Sequence, residues 1–327
     1  MNERSTPPVA RASVLVTCYR RRQYLVPAVH SVLADGPVGP ELEVVVLKDW
    51  SDPVVDRELQ RLGVRVVTED IPGIGEALAR GVAECTGDSV SFLDDDDQFA
   101  SGKLAAVREA FARDPELTVF RTGWTAVDRD GRPAEEYDRR VRQPESAREF
   151  RVNEMGADTF RWIVENRAYG NLSTLSVRRQ DLVPRAADLR RIECGIDVGV
   201  PILLMSGTRK HAFDPRPLTI RRIGSSMRSG MVSGQARAYT RTFRRLRSSA
   251  ASPAARTYAE MNVRWGRLDT VLGTPRLAVI EHWMARLRRP PASGAGSLFK
   301  DSLVAACRFA FPQAAMKLLG PEDSRSR

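Results

Sequence analysis

The stretch DSVSFLDDDD (88–97) decides the reading of this chain. Its first half, SVSFL, has the short apolar run of a strand buried on both faces. It ends in four consecutive aspartates, Asp94 to Asp97. Four adjacent carboxylates at the end of a buried strand repel one another unless a cation offsets them. Oxygen ligands without histidine suit Mg²⁺ or Mn²⁺, ions that commonly bridge phosphate oxygens. A strand closed by clustered aspartate is therefore a natural seat for a metal–diphosphate. The competing reading is a solvated acidic turn lying against the dipole of the next helix, for which Ser101 would serve as cap.

The same rhythm extends outward. ASVLVTCY (12–19), ELEVVVLKD (41–49) and VRVVTED (64–70) read as strands. RRRQYLVPAVHSVL (20–33), PGIGEALARGVAECTG (72–87) and SGKLAAVREAFARDP (101–115) read as helices, with Pro27 tolerable only near a first turn and Gly87 as a stop. LTVFRTGWTAVD (117–128), followed by RDGRP, reads as a strand and hairpin. Alternation of this kind predicts an α/β fold with a mostly parallel central sheet flanked by helices, which binds ligands beyond the carboxyl ends of its strands. Thr17, Asp49 and the aspartate run all fall at such ends, although Asp49 by itself also reads as a turn residue. Beyond residue 130 the pattern is mixed. DTFRWIVENRA (158–168) reads as a helix, GNLSTLSVRRQDL (170–182) as a loop and strand, and CGIDVGVPILLMSG (194–207) as a helix or buried apolar segment.

The 327 residues carry 42% hydrophobic and 28% charged side chains, enough to bury a core and unlike a disordered polyelectrolyte. Cys18, Cys85, Cys194 and Cys307 are scattered with no CxxC pair, and three histidines form no HExxH, so neither a zinc site nor a disulfide framework is indicated. No apolar run approaches the length of a membrane span and the N-terminus lacks a signal-type apolar core, so the expectation is a cytoplasmic protein. The net charge of +10 is C-terminal: residues 230–327 hold 17 basic and 6 acidic residues, whereas 1–229 is near neutral. Aromatic residues are 7%, and no nucleic-acid motif accompanies the basic segment, so no nucleic-acid partner is expected. A basic helical tail suits peripheral contact with an anionic membrane, dimerisation, or simple solvation. AASPAA (250–255) and RRPPASGAGS (288–297) read as punctuation, and 297–320 as an amphipathic helix that docks on its own domain or lies on a membrane.

Taken together, SVLVTCYRRRQYLVPAVHSVL, EVVVLKDWSDP and GIGEALARGVAECTGDSVSFLDDDD, followed by GKL (102–104), resemble the inverting family 2 glycosyltransferases over about residues 12–229. The resemblance implies a GT-A fold in a single domain, 1–229, with a nucleotide-sugar half (about 12–128) and an acceptor half (about 129–229), and a helical basic C-terminal extension, 230–327. It implies that Thr17, Asp49 and Asp95 contact the nucleoside, and that Asp94 and Asp96 hold Mg²⁺ or Mn²⁺ against the diphosphate of a donor such as a UDP- or dTDP-sugar. In ECGIDVGV (193–200), Asp197 falls where the family places its catalytic base; its apolar neighbours would make it more basic, and its bland role is a helix cap. In LTIRRIGSSMRSG (218–230), Arg221, Arg222 and Ser226 match the segment that closes on the diphosphate.

Four positions depart from the family pattern: Lys48 stands for the first Asp of a usual pair, Leu78 and Ala79 for a usual Arg-Asn pair with Arg80 as a substitute from nearby, and Ile223 for a frequent His. The implied reaction is inverting transfer of a sugar to the hydroxyl of a glycan, lipid-linked or small-molecule acceptor. The rival readings are a nucleotidyltransferase, disfavoured because TCYRRRQYL (17–25) has no glycine-rich loop, and a non-catalytic sugar-nucleotide-binding scaffold.

Overall fold

The computed structural model describes residues 11–19, 21–141, 143–224 and 232–272. In chain order the elements are β1 (Ala12–Cys18), α1 (Arg22–Leu33), β2 (Leu42–Lys48), α2 (Pro53–Arg61), β3 (Arg65–Thr68), α3 (Ile74–Glu84), β4 (Ser89–Asp94), β5 (Gln98–Phe99), α4 (Lys103–Arg113) and β6 (Leu117–Val127). There follow α5 (Glu135–Arg140), β7 (Arg148–Arg151), α6 (Ala157–Glu165), β8 (Leu175–Arg178), α7 (Arg179–Leu182), α8 (Ala186–Arg190), α9 (Ile196–Leu204), β9 (Lys210–Arg222), α10 (Val232–Ser248) and α11 (Pro253–Leu272).

The strands form one sheet in the order β3-β2-β1-β4-β8-β6-β9-β5, with β7 added on β9. Pairing is parallel from β3 through β2 and β1 to β4, as the β-α-β rhythm requires. The second half is mixed: β8 runs antiparallel between β4 and β6, while β6 and β9 are parallel. The sheet expected to be mostly parallel is strictly parallel in its N-terminal half, and its shorter antiparallel pairings, through β5, β7 and β8, lie in the second half. β1, β2 and β4 read as unbroken apolar runs because helices cover both faces. One face packs Val14, Val16, Val44, Val46 and Leu93 against α1. The other packs Leu15, Val45, Leu47, Val90 and Phe92 against α3 and α9.

Local departures from the expected boundaries have identifiable causes. Pro27 lies inside α1, beyond its first turn, on the exposed side of the helix, where it donates no amide to the helical ladder. α4 begins at Lys103 rather than Ser101. Its first amides are met by a residue distant in sequence: Gly102 N donates to Asp35 Oδ1 at 2.7 Å and Leu104 N to Asp35 Oδ2 at 2.9 Å. α3 ends at Glu84, short of Gly87, whose amide donates to Glu43 Oε1 at 3.0 Å and Ser13 Oγ at 2.8 Å. α2 was not expected. Asp52 caps it through the amides of Val54 and Val55, with Pro53 at its first position.

The 229/230 boundary marks a change of charge within a shared core. Phe243, Leu246, Ala255, Tyr258 and Val263 of α10 and α11 are buried in the same cluster as α9. Gly195 needs the left-handed backbone region at φ +73°, and a Cβ there would lie 2.6 Å from the Tyr239 ring, so α10 fits closely against the start of α9. Of AASPAA, Pro253 onward is helical, with the Ser252 hydroxyl accepting from Ala255 N. The expected linker at 288–297 and helix at 297–320 lie outside the described residues. No helix among the described residues is long and apolar enough to cross a membrane.

Candidate functional site

Parallel pairing brings the carboxyl ends of β1, β2 and β4 to one edge. Thr17 is in register with Leu47 on β2 and Asp94 on β4, and Asp49 follows the last residue of β2. β4 then turns sharply: Asp97 N donates to Asp94 O at 3.1 Å, and Asp95 N to Thr17 O at 3.2 Å. This turn holds all four carboxylates close to the strand ends.

The turn is not a solvated acidic loop. Asp95, Asp96 and Asp97 are 0%, 8% and 3% exposed. Burial, followed by repulsion from Asp97, Asp96 and Asp95, holds the Asp94 carboxyl well above the ordinary aspartate range. Burial and then Asp96 raise Asp97 as well. Burial pushes Asp95 up to about 7, although Arg21 pulls it back. Such shifts mark carboxylates crowded without enough counter-charge, an imbalance a bound cation would reverse. Oxygens of Asp94, Asp96 and Asp97 lie within 4.8 Å of one another, an all-oxygen donor set that fits Mg²⁺ or Mn²⁺. Asp94 and Asp96 were expected there; Asp97 joins them.

Asp97 also ties this edge to the second half of the molecule. Its Oδ2 accepts from Ser173 Oγ at 2.6 Å and Asn171 Nδ2 at 3.1 Å, and its Oδ1 from Arg222 N at 2.9 Å. Ser173 Oγ in turn accepts from Asp94 N at 3.0 Å. The segment GNLS (170–173) and the end of β9 are thereby clamped against the aspartate turn.

Other expected residues are placed as follows. Asp95 is wholly buried, ion-paired with Arg21 and beside the Cys18 thiol, with no surface presented for a ribose. Arg80 lies on the solvent side of α3, ion-paired with Glu76 at 2.7 Å and with Glu69. Arg222 donates to the carbonyls of Asp96, Asp128 and Arg129 and stacks on Tyr24 at 4.7 Å. Arg221, its neighbour on the strand, stacks on Trp124 at 5.3 Å and donates to Tyr137 Oη at 3.2 Å. Ser226 lies outside the described residues. Asp197 is in the first turn of α9, half-buried, between the buried Ile196 and Val198 and within electrostatic reach of Tyr258. Lys48, the departure at the end of β2, is fully buried. It bonds the Trp50 carbonyl, pairs with Asp56 at 2.9 Å and sits 4.4 Å from the Trp50 ring centre, pinning the loop that carries Asp49 to α2.

The residue that sequence reasoning missed is Arg21. Nothing in RRRQYL (20–25) singles it out in the sequence. It ion-pairs Asp95 through one guanidinium nitrogen and Asp96 through another. Arg22 instead stacks on Trp50 at 4.9 Å.

The sequence profile described as Glycosyl transferase family 2 matches residues 13–169, the span that builds this edge. Over these residues the chain is similar to the family 2 glycosyltransferases. Among curated proteins, TuaG of Bacillus subtilis (strain 168), named as a teichuronic acid biosynthesis glycosyltransferase, is 29% identical over 140 residues. That match covers 41% of this chain and 53% of TuaG, so the chain spans about half the length of this relative. The fold is that of the GT-A glycosyltransferases. Residues 1–349 of S. aureus TarS, solved in complex with UDP-GlcNAc, superpose with a TM-score of 0.57 at 14% identity, covering 91% of each chain. The same TarS fragment in complex with UDP gives 0.56 at 12% identity, covering 93% and 92%.

Proposed function

We propose that the protein transfers a sugar from a nucleoside-diphosphate donor to an acceptor hydroxyl in one inverting displacement. The carrying observation is the convergence of Thr17, Asp49 and the buried aspartate turn at one sheet edge of a GT-A fold. UDP is the favoured nucleotide, in keeping with the two TarS complexes, and the name of TuaG favours a glycan acceptor.

In this reading Asp94, Asp96 and Asp97 hold a divalent cation, which when bound offsets the charge that builds on the departing diphosphate. Thr17 and Asp49 flank the nucleoside at the ends of β1 and β2. Lys48 fixes the Asp49 loop through Trp50 and Asp56. The Asp97 contacts to Ser173, Asn171 and Arg222 hold the aspartate turn in one geometry, so donor binding requires little rearrangement of the ligand set. Asp197 accepts the proton of the acceptor hydroxyl from the first turn of α9.

Incubation with UDP-sugars and glycan acceptors, with Mn²⁺ or a chelator, tests the proposal. Asp96→Ala abolishes metal-dependent transfer, and Asp197→Asn stops turnover while UDP binding, followed by thermal shift, persists. Full turnover by Asp197→Asn would show that the base is another residue. Release of pyrophosphate from a nucleoside triphosphate would point to nucleotidyl transfer instead.

A further inference from the structure

The ion pairs of Arg21 bear on how a metal ion reaches the aspartate turn, an inference that rests on the cation site just proposed. Arg21 lies between β1 and α1, and its backbone carbonyl accepts from Cys18 Sγ at 3.6 Å. One of its terminal nitrogens meets Asp95 Oδ1 and the other meets Asp96 Oδ2. The two carboxylates differ in surroundings. Asp95 is wholly enclosed, whereas the Asp96 side chain is 9% and the Arg21 side chain 21% exposed, so the arm on Asp96 borders solvent. Asp96 is also one of the three carboxylates that converge as a cation site.

We propose that Arg21 is the resident counter-cation of the turn, and that it competes with the divalent ion for Asp96, so that the ion binds together with the nucleotide diphosphate and poorly without it. A guanidinium and a divalent cation on the same carboxylate repel each other. A diphosphate reverses the balance. It brings its own negative charge to the ion and offers the displaced guanidinium arm a new acceptor, for which arginine's fork geometry is suited. The arm on buried Asp95 stays in place and keeps Arg21 at the site throughout. Two other arginines near the turn are engaged in other contacts: Arg222 donates to main-chain carbonyls and stacks on Tyr24, and Arg22 stacks on Trp50.

Titration of the full chain with Mn²⁺, followed by the electron-spin resonance of free Mn²⁺ with and without UDP, tests this without any turnover. The wild type binds Mn²⁺ at least tenfold more tightly with UDP than without. Arg21→Gln, which loses the charge, binds Mn²⁺ alone at least fivefold more tightly than the wild type, and its enhancement by UDP shrinks to threefold or less. Arg21→Lys keeps one charge but cannot span two carboxylates; its affinity for Mn²⁺ alone falls between the other two, and it carries the test if Arg21→Gln fails to fold by circular dichroism. Unchanged or weaker binding of Mn²⁺ alone by the folded variants, with the wild type still binding Mn²⁺ and UDP together, overturns the role of Arg21 only. Failure of the wild type to take up Mn²⁺ even with UDP overturns the cation site itself.

Discussion

The carboxylate of Asp35, just after α1, accepts the amides of both Gly102 and Leu104, at 2.7 and 2.9 Å. It caps a helix 67 residues away in sequence, and it anchors the start of α4, the helix that follows the aspartate turn and β5 in the chain. Gly102 at the cap position carries no side chain, so nothing local replaces this contact. Asp35→Ala is expected to cost about 1 kcal/mol, up to roughly 2, the usual range for loss of a carboxylate cap. Asp35→Asn, which keeps one acceptor oxygen, should recover part of the loss. Urea denaturation of the two variants checks this, and an Asp35→Ala midpoint equal to the wild type would rule the cap out as a stabilising contact.

That cap also shows which features were legible in the sequence. β1, β2, β4 and the flanking helices follow from apolar periodicity, which is local and strong because burial on both faces leaves continuous apolar runs. The aspartate run was legible for the same reason: its charge contrasts with the strand before it. Contacts between distant segments were not. Ser101 is the residue a local rule selects as a cap, and Asp35 is the one that serves. Arg21 could not be told from Arg22 beside it, since only the fold decides that Arg21 reaches Asp96 while Arg22 stacks on Trp50. Asn171 and Ser173 lie in a segment that reads as loop, and their bonds to Asp97 depend on β8 running antiparallel beside β4, a pairing that periodicity does not encode. The helix at Pro53 was a miss of a different kind, because Asp52-Pro53 is a legible start signal.

Ser173 is wholly buried, donates to Asp97 Oδ2 at 2.6 Å and accepts from Asp94 N at 3.0 Å. It touches two of the three converging aspartates without belonging to the cation set. Ser173→Ala leaves Asp97 with one fewer donor and the Asp94 amide without an acceptor. Loss of a contact that orients a ligand typically weakens a metal site by about 10- to 100-fold. The expected result is therefore a drop of at least about tenfold in Mn²⁺ affinity in the presence of UDP, by calorimetry, with the fold retained by circular dichroism. Unaltered Mn²⁺ affinity would mean that Asp97 does not need this hydrogen bond to face the ion.

Lys103 gives a pH dependence whose direction is fixed by its surroundings. Its ammonium is fully buried at the start of α4, donating to Thr122 Oγ1 at 2.6 Å and Thr174 O at 3.2 Å. Burial, with a smaller contribution from Arg121, lowers its pKa from 10.5 to about 7. Between those values the unfolded chain holds a proton that the folded protein has lost, so stability rises with pH across the interval. Below about 7 both states are protonated and the contribution is constant. Lys103→Met cannot ionise and removes this dependence. In thermal melts from pH 7 to 9, the wild type should therefore gain stability relative to Lys103→Met as pH rises. Parallel melting curves for the two proteins across that range would show that Lys103 keeps an ordinary lysine pKa, with its charge sustained inside the fold by Asp214 and the oxygens around it.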